Sequence, residues 1–138
     1  MGQRVARALI CVCSALLFAG ACGKAGDTKL TELQRVKSGL LDVVLLSSHD
    51  AIRHGQDSFV VEFRTSDGVL VDVGDVKGSA TMPMPGTPMF GSLDVKKTNT
   101  PGRYSVDAKF DMAGTWRTTL QWQGASGAGS VTFAGNVQ

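Results

Sequence analysis

The 138-residue sequence holds only three Cys, four Pro, one Tyr and two His, and its 14 Lys+Arg nearly cancel its 12 Asp+Glu. Each scarcity excludes something. A formal charge of +2 supplies no strongly basic surface of the kind a nucleic-acid binder needs. No apolar stretch reaches the roughly 18–20 residues that span a bilayer, so a polytopic membrane protein is excluded. The length fits one domain and excludes a large multidomain enzyme. Beyond the leader described next there is no nucleophile elbow, no phosphate-cradling Gly loop, no metal-spaced His/Glu pair and no free Cys with a His partner. Ser48-His49-Asp50 contains triad residue types, but adjacent positions on a chain cannot face one another as a triad requires. The protein is therefore expected not to be an enzyme, and no small-molecule substrate is inferred.

What is present starts with an address. Arg4 and Arg7 precede an uncharged run over residues 8–21, the size of a signal-peptide apolar core and too short for a comfortable membrane span. The run ends in Phe18-Ala19-Gly20-Ala21-Cys22, which looks like a bacterial lipobox, with Ala19 where Leu is usual. That likeness implies a lipoprotein signal peptide over 1–21 and a diacylglycerol on Cys22; the alternative is an ordinary secretory signal cut after Ala21. Two or three acyl chains, at about 0.8 kcal/mol per methylene, give stable anchoring. Removal of the leader takes Arg4 and Arg7 with it and leaves 12 basic and 12 acidic side chains. It also removes Cys11 and Cys13, so with Cys22 acylated no disulfide can form within one chain. Gly23 rather than Asp after the lipidated cysteine favours an outer-membrane anchor facing the periplasm, if the host is Gram-negative.

Residues 22–37 read as a lipid-anchored flexible tether, with a short helix over 28–37 conceivable because Leu30, Leu33 and Val36 recur every third position. Residues 38–138 then form the folded domain, and their period is two. Phe59, Val61 and Phe63 alternate with Glu62 and Arg64; Tyr104, Val106, Ala108 and Phe110 alternate with Arg103, Ser105, Asp107 and Lys109; Trp116, Thr118, Leu120 and Trp122 alternate with Arg117, Thr119, Gln121 and Gln123. Such alternation marks strands with one buried and one wet face. Asp67-Gly68, Asn99-Thr100-Pro101-Gly102, Asp111-Met112-Ala113-Gly114 and the small residues of 124–129 supply the turns. The spacing predicts an all-β, immunoglobulin-like antiparallel β-sandwich of six to eight strands.

The unusual feature is methionine. Met82-Pro83-Met84-Pro85-Gly86-Thr87-Pro88-Met89 gathers three Met and three of the four Pro in eight residues, a stiff loop that cannot sit in a ladder. Thioether sulfur is a soft neutral ligand suited to Cu(I) or Ag(I). It is also a deformable hydrophobe, so the loop could simply cap one end of a sandwich. Strand parity links a fourth methionine to these three: two strands, over 90–97 and 103–110, separate the loop from the 111–114 corner, which places Met112 at the same end. Trp116, just beyond, could pack beside the sulfurs or offer its face to a soft cation. His49 and His54 join that end only if residues 69–81 cross the body once, and two solvated loop histidines remain the plainer reading.

From about residue 39 to 137 the sequence resembles the YtkA-like domain, a small β-sandwich related to the FixH-like group. The residues that carry the resemblance are Asp67-Gly68, Met82-Pro83-Met84-Pro85-Gly86, Pro101-Gly102-Arg103-Tyr104 and Phe110-Asp111-Met112-Ala113-Gly114-Thr115-Trp116. The resemblance implies a secreted or membrane-tethered domain of the kind associated with copper handling or heavy-metal efflux. The expected protein is thus an envelope lipoprotein whose Met82, Met84, Met89 and Met112 bind Cu(I) or Ag(I) and pass it to an efflux or delivery protein. Its alternative is a metal-free protein–protein interaction module.

Overall fold

The computed structural model describes residues 28–138; the expected leader, Cys22 and the expected tether as far as residue 27 lie outside the described residues. Eight antiparallel strands follow one another with no helix among the described residues: β1 Thr31–Ser38, β2 Leu41–Ser47, β3 Gly55–Thr65, β4 Asp75–Met82, β5 Met89–Lys97, β6 Arg103–Phe110, β7 Gly114–Gly124 and β8 Gly127–Val137. Hydrogen bonding joins them in the order β1-β2-β3-β6-β5-β4-β7-β8. The sheet folds over where β4 meets β5, since these strands pair at only three positions, Ala80↔Gly91, Thr81↔Phe90 and Met82↔Met89. Past the fold the halves face each other. Phe63 on β3 lies edge-on to Trp122 on β7 with ring centroids 5.0 Å apart. A Cβ on Gly78 of β4 would press on Leu93 and Val95 of β5 at 3.0–3.2 Å, so glycine lets the two halves approach. The outer strands also meet, with the Ser38 hydroxyl donating to the Ser130 carbonyl. The result is a β-sandwich, as the alternation predicts.

The inward residues of each expected strand form the core: Phe59, Val61 and Phe63; Tyr104, Val106, Ala108 and Phe110; Trp116, Leu120 and Trp122 are all buried. In β2 the unbroken apolar run Val43-Val44-Leu45-Leu46 is buried throughout, the pattern of a strand covered on both faces.

One boundary is corrected. Residues 31–38 are a strand, neither tether nor helix, so the folded domain starts at Thr31 rather than at 38. The misleading threefold spacing has a structural cause. The β1–β2 register slips between Glu32 and Gln34, leaving Leu33 as the extra residue of a bulge. In a regular strand Leu33 and Val36 would face opposite sides; with the bulge both pack against the core. The segment after Asp67-Gly68 is likewise less regular than a hairpin arm. Thr65 and Val69 close the turn through a 2.8 Å backbone bond, but only Arg64↔Leu70 bridges before β4 begins.

Candidate functional site

The β registers sort every loop to one of two ends. Thr31 opposes Ser47, Gly55 opposes Phe110, Gly114 opposes Val137, and Thr81 opposes Arg117. The start of β1, the 48–54 loop, the 83–88 loop, the 111–113 corner and Gln138 therefore share one end. The 39–40, 66–74, 98–102 and 125–126 connections share the other. Met112 and the Met-Pro loop are at one end, as strand parity requires. His49 and His54 are there too, because the chain between β3 and β4 makes no crossing of its own.

The methionines are not equivalent. Met82 belongs to the core at 7% exposure, and its methyl lies 2.6 Å from where a Gly114 Cβ would stand. Only glycine, with φ at +140°, leaves room for that methyl under the corner. Met89, its cross-strand partner, is half-buried against the core. Met84 and Met112 are exposed, at 43% and 42%. The chain thus directs the sulfur at the end of β4 inward and the one in the loop outward, because strand alternation continues to Met82 and ends at Pro83. Trp116 is 1% exposed, donates its indole N–H to the Met112 carbonyl at 3.0 Å, and meets Phe110 edge-on at 5.2 Å. It is a core residue that pins the corner, and it offers no free face to a cation.

The histidines take separate partners. His54 Nδ1 lies 3.0 Å from the carbonyl of Gln138, whose own amide is tied to Ile52, so this loop is stitched to the C-terminus. His49 Nδ1 lies 3.4 Å from the Ser48 hydroxyl and 3.9 Å from Asp57. Asp57 accepts from the backbone N–H groups of Arg53 and Ser58 at 2.8 Å each, which explains how a mostly buried carboxylate is satisfied. A concavity of about 650 Å³ lined by Ser48, His49, Asp57, Asp94 and Asp107 lies alongside, and none of the four methionines lines it. Among the described residues no group of three or more His, Cys, Asp or Glu is placed to hold a metal ion.

Several polar features were not singled out from the sequence. Glu62, 1% exposed, accepts from Arg64 Nε at 2.6 Å and from Arg103 Nε at 2.7 Å. Its place on the wet face of an alternating strand concealed this, although the facing of Glu62 and Arg103 across β3 and β6 is a consequence of register. Tyr104 donates to the Gly74 carbonyl at 2.8 Å and lies 3.2 Å from Asp72, and burial followed by the Asp72 charge pushes its phenol up to about 12. Phe90, beside the Met-Pro loop, is 69% exposed. Its outward direction follows from pairing with Thr81 on the solvent face.

No curated protein matches the chain. A solved structure, the Lin-41 filamin domain, is similar with a TM-score of 0.42 and 13% identity over 64% of this chain and 81% of that one. The family model described as YtkA-like matches residues 35–121, from the end of β1 through most of β7, including the Met-Pro loop and the Met112 corner. This eight-stranded chain belongs to the YtkA-like family.

Proposed function

We propose that the protein is a lipid-anchored domain of the bacterial cell envelope that works by docking, without turning over a substrate, and that the end carrying Met84 and Met112 is its contact surface. One observation supports this most: two exposed thioethers and the exposed Phe90 ring sit around an end whose remaining sulfurs are held in place by the core. Flexible, polarizable methionine at an accessible surface suits contact with an apolar counterpart. The test is a photo-crosslinking side chain placed in turn at positions 84, 112 and 40 in cells. Adducts from the first two and not from Leu40, at the other end, are expected. Equal labelling from all three would remove the reading.

A second reading is favoured by the half-buried Met89 standing at the base of the loop with Met84 and Met112 at the same end. Those three thioethers would bind Cu(I) or Ag(I) for an efflux or delivery protein, and Met82, enclosed by the core, would serve as scaffold. Anaerobic Cu(I) titration against a competing chelator decides it. A variant with Met84, Met89 and Met112 all changed to Leu should lose binding, and undiminished binding would eliminate the metal.

A further inference from the structure

Lipidation at Cys22 combined with the strand registers has a geometric consequence. β1 starts at the Met84/Met112 end, since Thr31 faces Ser47 and Gly55 faces Phe110. Eight residues, 23–30, separate Cys22 from Thr31. Fully extended, the nine steps from Cys22 to Thr31 reach at most about 30–32 Å. The body is longer than that: β3 alone has 11 residues, about 33–34 Å between its terminal Cα atoms, and the loops at both ends add to it. To lay the opposite end on the membrane, the eight residues would have to run straight back along the whole domain, and they are too short to do so.

Charge separates the two ends as well. No charged residue occurs from Gly78 to Leu93, the entire stretch surrounding the Met-Pro loop, so its approach to a headgroup region strips water from no ion. The nearby acids Asp50 and Asp111 are matched in number by Arg53 and Lys109. The far end also exposes apolar side chains, Leu40 and Val69, but its 66–74 loop carries Asp67 and Asp72, and Asp75 follows at once. Asp72 is paired with Lys97 at 3.7 Å, and these ions together with Asp67 and Asp75 would lose water on entering a headgroup region, a cost the Met-Pro loop does not carry. Apolarity alone does not choose between the ends; tether length and charge choose the same one.

We propose that the occupant of the docking end is the phospholipid surface that holds the anchor, with Met84 and Met112 seated in the headgroup region and the 39–40, 66–74 and 98–102 connections turned away from the membrane. This rests on the anchored-docking reading above and names the partner of that end. Once the leader is removed and Cys22 acylated, an introduced cysteine is the sole free thiol. The acylated protein, carrying M84C, M112C, L40C or V69C labelled with an environment-sensitive fluorophore, is reconstituted into vesicles of phosphatidylethanolamine and phosphatidylglycerol. Labels at 84 and 112 should shift to the blue and be quenched by nitroxide-bearing lipid; labels at 40 and 69 should do neither. Quenching at both ends alike, at neither, or at 40 and 69 alone overturns the proposal. So does a protein adduct without a lipid adduct from positions 84 and 112 in the crosslinking experiment, which leaves docking intact. Mass analysis of the N-terminal peptide reads the anchor independently: an unacylated Cys22 removes the anchor and this orientation together.

Discussion

Met82→Ala, set against Met84→Ala and Met112→Ala, separates scaffold from surface at the methionine end. Met82 is 7% exposed, belongs to the core cluster, and fills the space under Gly114. Truncating a buried methionine costs about 2–5 kcal/mol, the transfer of its side chain plus the cavity left behind. At 7% exposure Met82 lies at the margin of the core, so the lower part applies, about 2–3 kcal/mol. For a domain of this size that lowers Tm by ~10 °C. Met84 and Met112, each more than two-fifths exposed, should change stability by no more than about 0.5 kcal/mol. Thermal melts followed by far-UV circular dichroism and tryptophan fluorescence check all three. If Met82→Ala melts no earlier than Met84→Ala, the assignment of Met82 to the core, and with it the division of sulfurs between packing and contact, is wrong.

Tyr104→Phe removes the donor to Gly74 and should cost about 1–2 kcal/mol, read by urea unfolding. Because the folded phenol is raised from 10.0 to about 12, its proton is held more tightly in the native state. The associated stability is present in full below pH 10 and is lost as pH rises through 12. Tyrosinate absorbance of this single-Tyr chain should show the late titration, and the Phe variant should lose that component of alkaline destabilisation. Gly129→Ala would drive a Cβ into the Trp122 ring, overpacking that should cost about 1–3 kcal/mol and alter tryptophan fluorescence. Glu62→Gln leaves Arg64 and Arg103 without their shared anion; as both reach solvent, a loss of about 1–3 kcal/mol is expected by chemical denaturation, largest at low salt.

Most of the fold could be read from residue order. Alternation is a local property, so β3, β6 and β7 were evident within a residue or three of their ends, and Gly-bearing turns marked where the chain reverses. The shared end of the Met-Pro loop and Met112 followed from counting strands, because each strand crosses the body once. β1 was missed where a bulge replaced period two with period three. The position of His49 and His54 stayed open because a bridge and a strand look alike in 69–74, and only pairing tells them apart.

An all-β body, its turns and its unusual methionines are written in local pattern, because side-chain direction along a strand repeats every second residue regardless of what lies across the sheet. Which sulfur is enclosed and which meets solvent is not local. Met82 and Met84 differ by two positions and share a residue type, yet one lies under Gly114, which comes from a strand 32 residues later, and the other stands beyond the last ladder bond. That difference, the edge-on tryptophans and the gathering of β1's start with the methionine loops at one end arise only when the two halves of the sheet close on each other.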